Sequence, residues 1–293
     1  MTRIIPYELI KHLEWTPDQE VPSQPEPIQF KPTEQNVFSI DHLINNGNEF
    51  YNTNLPTALE EAINSIEEDG IIASMPYLIA GKAQADKENY LWKSWFTALS
   101  EEDIGVDREG RFVEAGKHVV VTVHGGGILT ADRIQKSYNE GLTEQRAARL
   151  TEEEFYNLLN GTLPNGENIN IYTIDDVQNN NISHLFGKYA VVLDFESAKS
   201  TKSGYHQKED FMKNPLVLAR VGTPDYLEDY FEKAKHSSDQ DVRNSHIFEE
   251  IDTNQQQGRL LCLIYGDCIG LGGLSGLDYD GRFVGVAPEA QDA

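Results

Sequence analysis

The chain has 293 residues, of which 39% are hydrophobic and 10% aromatic, and its 48 acidic and 24 basic residues give a formal net charge of −24. These proportions are those of a folded protein, and the negative field disfavours nucleic acid and anionic membrane surfaces as partners. The N-terminus lacks the apolar core of a signal peptide, no run reaches membrane-spanning length, and two cysteines make no disulfide framework. We therefore expect a cytoplasmic protein without membrane or nucleic-acid partners.

Prolines concentrate at the start of the chain. Residues 1–36 contain six of the 12 prolines, and this composition predicts an extended N-terminal arm that contacts the body or a protein partner. The folded part is expected over 37–150 and 151–293. These segments form either two α/β units or one continuous domain.

Helical and extended patterns alternate along the folded part. Helices are predicted at 55–68, 84–99 and 151–159. Strands are predicted at 71–80, 118–123, 169–174, 189–193, 215–221 and 259–265. This alternation predicts an α/β fold around a mixed or mostly parallel sheet. Segments 76–125 and 215–266 share an outline of apolar runs and a glycine loop, so two related α/β halves are an alternative.

The sharpest motif is an apolar strand (118–123) followed by a histidine, three glycines and a helix that begins near Thr130. Glycines leave backbone N–H groups uncovered, and near the positive end of a helix such groups seat an anion. We expect at least one glycine to need a positive φ. The motif predicts an anionic small-molecule ligand, with an acid/base or ligand role for the histidine. The residues concerned are His124, Gly125, Gly126 and Gly127.

Acidic residues follow two other predicted strands. Asp194 and Glu196 come after the strand at 189–193, and Asp267 comes after the strand at 259–265. Ligands of open α/β sheets collect beyond the carboxyl ends of the strands. We therefore predict that Asp194 and Glu196 bind a divalent cation such as Mg²⁺, Mn²⁺ or Ca²⁺, and that Asp267 contacts the ligand. The alternative is that these acids are turn and helix-cap residues.

Two short segments resemble known families. Val-Val-Thr-Val-His-Gly-Gly-Gly127 resembles the oxyanion-hole motif of the hormone-sensitive-lipase group of α/β-hydrolases, but Ser197 lacks the flanking glycines of the nucleophile elbow. Val-Val-Leu-Asp-Phe-Glu-Ser197 resembles the first metal-binding motif of the DEDD 3′–5′ exonucleases, which implies a metal on Asp194 and Glu196. The later motifs of that family are absent from the sequence.

These patterns predict a small-molecule enzyme, specifically a metal-assisted hydrolase or transferase. The competing hypothesis is a non-catalytic acidic interaction or structural protein whose glycine loops are tight turns. The two hypotheses differ in where they put His124 relative to Asp194 and Glu196. A common cavity favours the enzyme, whereas antiparallel neighbouring strands would place these residues at opposite ends of the sheet.

Overall fold

The computed structural model describes four ranges of the chain, namely 39–66, 70–238, 241–266 and 269–287. The predicted arm at 1–36 and the predicted ligand residue Asp267 lie outside these ranges. Within them, no helix is long and apolar enough to cross a membrane.

Ten α-helices fall in the described part of the chain. They are α1 (Ile40–Asn46), α2 (Leu55–Ser65), α3 (Met75–Gln84), α4 (Ala131–Glu140), α5 (Glu152–Leu159), α6 (Ile174–Gln178), α7 (Phe195–Ser200), α8 (Lys208–Lys213), α9 (Pro215–Val221) and α10 (Leu227–Ser238). Local signals start several of them. Thr130 caps α4 by accepting the N–H of Arg133, and Thr151 and Glu154 form a capping box at α5. The predicted helix at 151–159 is confirmed, and the one at 55–68 is confirmed over Leu55–Ser65.

Twelve strands are found in the same ranges. They are β1 (Asn48–Asn52), β2 (Ile71–Ile72), β3 (Phe96–Asp107), β4 (Lys117–His124), β5 (Ala148–Arg149), β6 (Asn170–Thr173), β7 (Tyr189–Asp194), β8 (Gly204–His206), β9 (Val242–Ser245), β10 (Gln257–Ile264), β11 (Gly270–Gly272) and β12 (Gly281–Val286). The small sheet has the order β1-β12-β2. The large sheet has the order β6-β7-β4-β3-β10-β11-β9-β8, and β5 pairs with β10.

The large sheet is mixed, and most of its pairs are antiparallel. Only β6–β7 and β9–β11 are parallel among the described pairs. The predicted mixed sheet is confirmed, whereas a mostly parallel sheet is wrong. Strands from both sides of residue 150 share this sheet, since β3 pairs with β10. A relationship between the two halves by an internal repeat stays a prediction.

Three predicted elements are wrong. Segment 71–80 is strand only at Ile71–Ile72 and then becomes α3, and 215–221 is α9. Segment 84–99 contains a turn of 3₁₀ helix at Tyr90–Trp92 and the start of β3. A short apolar run that is buried on every side carries no diagnostic period, so its sequence cannot distinguish helix from strand. Every residue of α3 from Met75 to Ala83 is buried.

The central strand β4 separates two apolar layers. Its residues Val119, Val121 and Val123 pack with α2 and α5 on one face of the sheet. Because side chains alternate along a strand, His124 points to the other face, where it meets α9. The histidine of the glycine motif is therefore directed into the protein interior by the register of β4.

Candidate functional site

His124 is fully buried and is hydrogen-bonded through both ring nitrogens. Nδ1 lies 2.9 Å from Ser100 Oγ, and Nε2 lies 3.0 Å from the carbonyl oxygen of Ala219 on α9. Only a donor can satisfy that carbonyl, so the proton is on Nε2, and Nδ1 accepts from the Ser100 hydroxyl. Ser100 Oγ in turn accepts the N–H of Met75 at 2.9 Å. This chain of hydrogen bonds joins α3, β3, β4 and α9.

The surroundings of His124 suit a neutral structural group. Burial lowers the pKa of the imidazole to about 4. The side chain has no solvent-exposed surface, and both of its nitrogens are already occupied by protein partners. The structure gives no support to the predicted acid/base or ligand role of His124.

The backbone donors that follow the three glycines bind a carboxylate of the protein itself. The buried carboxylate of Glu101, on β3, accepts the N–H of Ile128 at 2.6 Å and the N–H of Leu129 at 2.8 Å. These are the backbone donors between the glycine loop and α4. An anion-binding turn therefore lies directly after the predicted glycines, and an internal carboxylate occupies it. Glu101 has no local signal, since it reaches the loop only through the pairing of β3 with β4.

The glycines are required by backbone geometry. Gly126 has a φ of 100°, a conformation that residues with a Cβ rarely adopt. Gly127 has an ordinary φ, but a Cβ there would overlap the Glu101 carboxylate. The predicted need for a positive φ is confirmed. A role for Gly125, Gly126 and Gly127 in binding an external ligand stays a prediction.

Asp194 and Glu196 are far from His124. Strands β4 and β7 are antiparallel, with His124 opposite Tyr189 and Val119 opposite Asp194. Five residues of strand separate the two positions, which corresponds to about 17 Å. The predicted convergence of these residues on one cavity is therefore wrong. The predicted convergence required parallel strands. Antiparallel pairing instead puts the carboxyl ends of neighbouring strands at opposite edges of the sheet.

Asp194 has a local structural role. Its carboxylate accepts the N–H of Ser197 at 3.1 Å and caps α7, and Glu196 is exposed in the first turn of that helix. Within the ranges that the structure describes, no group of three His, Cys, Asp or Glu side chains is placed to hold a metal ion. The alternative of helix-cap acids fits Asp194.

Strand β3 also carries two further buried acids. Glu102 binds the buried guanidinium of Arg220 on α9 through two hydrogen bonds of 2.7 and 2.9 Å. Burial raises the pKa of both Glu101 and Asp103, and the nearby charge of Glu101 raises that of Asp103 further. Glu101 accepts two backbone N–H groups, so Asp103 holds the proton of this pair. Glu101 and Glu102 therefore have partners inside the protein.

Two cavities open on the described surface, and the larger one reaches the loop of Gly125, Gly126 and Gly127. The larger, of about 990 Å³, is lined by parts of α2, the glycine loop, and the segments around Leu163, Phe186 and Tyr226. The smaller, of about 400 Å³, is lined by Leu55, β10 and the segment that precedes β12. They share no lining residue, so they are separate candidate sites.

Aromatic side chains surround the smaller cavity. Trp95, Tyr265 and Tyr279 line it, and Tyr51 packs edge-on against Trp95 with ring centroids 6.4 Å apart. We define the aromatic patch as six residues: Tyr51, Trp95, Tyr265, Tyr279, Asp280 and Arg282. Tyr51, Tyr265 and Tyr279 are 48%, 41% and 59% exposed, whereas Tyr77, Tyr189 and Tyr230 are buried.

Comparisons with known proteins find a similarity of fold. No protein-family model and no curated protein matches the chain. It is similar to a solved structure described as "Accommodation of massive sequence variation in Nanoarchaeota by the C-type lectin fold", with 27% identity and a TM-score of 0.63. The match covers 83% of this chain and 99% of that one. The architecture is similar to the C-type lectin fold.

This similarity corrects the functional prediction. A small-molecule enzyme, specifically a metal-assisted hydrolase or transferase, is wrong, since the match is to a C-type lectin fold and the predicted catalytic and metal residues do not meet. The oxyanion-hole resemblance arose because an anion-binding turn after a strand needs glycines, whichever anion fills it.

The sequence did not identify the aromatic patch. Its residues come from four separated segments, so no motif connects them. One signal was available, because Tyr279 lies between Asp278 and Asp280 in a polar segment. Such a place is unusual for an aromatic residue of the core.

Proposed function

We propose that this protein is a non-catalytic binding module that recognises a partner protein through the aromatic patch. The observation that carries the proposal is the exposure of Tyr265 and Tyr279 beside a cavity of about 400 Å³. A group of exposed aromatic residues on a folded protein marks an interaction surface, because each buries a large apolar area on binding.

Four residues of the aromatic patch, namely Tyr51, Trp95, Asp280 and Arg282, are held by contacts with one another. The guanidinium of Arg282 lies over the rings of Tyr51 and Trp95, at 4.7 and 5.5 Å, and pairs with Glu49 at 2.8 Å. The Tyr51 hydroxyl donates to Asp280 at 3.1 Å. Side chains that are fixed before association lose less conformational entropy when a partner binds.

The chemistry of the cavity favours a protein over a saccharide. Leu55, Ile264 and Leu277 line it together with aromatic residues, so its surface is mainly apolar although Thr97, Ser275 and Asp280 also contribute to it. An apolar pocket ringed by Tyr and Trp, with Arg282 over the Trp95 ring, suits the anchor side chain of a protein partner. The net charge of −24 further favours a neutral or basic partner surface.

The similar solved structure supports a division between scaffold and recognition surface. Its description states that the C-type lectin fold accommodates massive sequence variation. Here the buried Glu102–Arg220 pair and the Glu101 contacts involve none of the patch residues. Side chains of the aromatic patch can therefore change without removing the hydrogen bonds that hold the scaffold together.

A peptide selection tests the proposal. A phage-displayed peptide library is selected on the immobilised full chain, and the affinities of the enriched peptides are measured for Tyr279→Ala and Tyr265→Ala. Hot-spot behaviour predicts a loss of about 30-fold. Tyr156→Ala is the matched control, since Tyr156 is 43% exposed on α5, outside the aromatic patch.

Two outcomes would contradict the proposal. The first is that the selected peptides bind Tyr279→Ala and Tyr265→Ala as tightly as the parent. The second is that no peptide is enriched, while a glycan array gives binding that is lost in Tyr279→Ala. The latter result would assign the aromatic patch to a saccharide.

A further inference from the structure

The larger cavity has a wall made of bare backbone. Gly125, Gly126 and Gly127 line it, and a glycine contributes only main-chain atoms to a cavity wall. More than half of the other lining side chains are apolar, including Leu99 and Leu129 beside the loop, and the polar ones include Asn165, Asn180 and Asp225. A volume of about 990 Å³ is within the range of small-molecule sites.

Two backbone N–H groups in this wall have no hydrogen-bond partner among the described residues. Gly125 N–H donates to the carbonyl of Leu99, and the N–H groups of Ile128 and Leu129 donate to Glu101. Between them, the N–H groups of Gly126 and Gly127 have no hydrogen-bond partner in the described ranges. Backbone donors without a protein partner are normally satisfied by water or by a ligand, so these two groups can bond to an acceptor in the cavity that both glycines line.

The charges around the loop decide the kind of acceptor. The carboxylate of Glu101 lies directly behind Gly127, and Lys188, the cation of the cavity wall, pairs with Glu167 at 2.5 Å. A second anion at the glycines would be repelled by Glu101, whereas a neutral oxygen would not. Apolar walls favour an apolar body around that oxygen.

We propose that the larger cavity binds a neutral, mostly apolar small molecule whose carbonyl oxygen accepts the N–H groups of Gly126 and Gly127. This site is independent of the aromatic patch, because the two cavities share no lining residue. The proposal also replaces the anionic ligand predicted at this loop with a neutral one.

Fluorescence titration with Nile red, a neutral apolar dye with a carbonyl group, tests occupancy of the cavity. Ile63→Glu and Ser183→Trp change exposed lining residues, so both variants should melt like the parent. We expect each to weaken dye binding at least tenfold. Equal binding to the parent and to both variants, or no binding to the parent, would overturn the proposal. Loss of binding in Tyr279→Ala would also overturn it, since the dye would then occupy the aromatic patch.

Amide NMR tests the contact with the glycines. Titration of the ¹⁵N-labelled chain with 2-octanone should move the amide proton signals of Gly126 and Gly127 downfield, as expected when an N–H group gains a carbonyl acceptor. Octane fills apolar space without an acceptor and should leave both signals without that shift. If the ketone displaces Nile red but moves neither glycine amide, the proposed hydrogen bonds do not exist.

Discussion

The glycine loop and the aromatic patch differ in where their polar and apolar groups find partners. At the loop, Glu101 satisfies two backbone donors, and His124 bonds to Ser100 and Ala219, all inside the protein. At the patch, the rings of Tyr265 and Tyr279 stay largely exposed. The loop has the sequence of a catalytic or binding motif, but most of its polar contacts are internal. The patch has no sequence motif, but its rings are exposed to solvent.

The comparison shows how a buried polar group differs from a functional one. Buried polar groups need partners, so strand-end acids and histidines in a large sheet often bond to each other or to backbone. Exposed aromatic side chains cannot be explained by the needs of the fold, because a side chain left in water contributes no free energy of burial. Stability measurements should therefore respond strongly at the loop and weakly at the patch.

Glu101→Ala should have the largest effect on stability. The substitution leaves the N–H groups of Ile128 and Leu129 buried without an acceptor, which should lower the free energy of unfolding by about 4 kcal/mol. Glu101→Gln is the matched control, because its one side-chain oxygen can still accept and should preserve about half of that stability. Urea denaturation measures both. A loss below about 1 kcal/mol in Glu101→Ala would show that the loop does not depend on this carboxylate.

Because of His124, the free energy of unfolding should decrease as the pH is lowered. The folded protein keeps the imidazole neutral down to a pKa of about 4, whereas the unfolded chain takes up the proton near 6.5. Between these values the unfolded state binds more protons, so stability falls as pH falls, by about 3 kcal/mol from pH 7 to pH 4. Denaturation of His124→Gln over the same range gives the reference, and identical pH slopes would contradict a neutral buried His124.

Gly126→Val should have an intermediate effect. A β-branched residue at a φ of 100° is strained, and the expected cost is about 2 kcal/mol. A Cβ atom at position 126 would make only ordinary contacts, since the nearest atom, in the Leu99 side chain, would be 3.6 Å away. Thermal and urea unfolding measure the change. Stability equal to that of the parent would mean that the loop has another conformation in solution.

Tyr279→Ala should change stability least. Its side chain is 59% exposed, so the free energy of unfolding should stay within about 0.5 kcal/mol of the parent value. Urea denaturation on the same samples used for peptide binding provides the measurement. A loss above about 2 kcal/mol would show that Tyr279 belongs to the scaffold and would remove the contrast between the two regions.

Local features of this protein were determined by its sequence. Thr130 and Thr151 start helices because their side chains accept nearby N–H groups, and the strand at 118–123 is fixed by its run of β-branched residues. The glycines after it indicated an unusual backbone, and Gly126 has one. These features depend on residues within a few positions, so the sequence alone contains the information.

Long-range pairing was decided only by the tertiary structure. Antiparallel pairing of β4 with β7 separates Asp194 from His124, and pairing of β3 with β4 brings Glu101 to the glycine loop. The aromatic patch is likewise assembled when β1 pairs with β12, which brings Tyr51 opposite Arg282. Strand direction and register depend on how the whole core is packed, and a local run of residues has the same pattern in either direction.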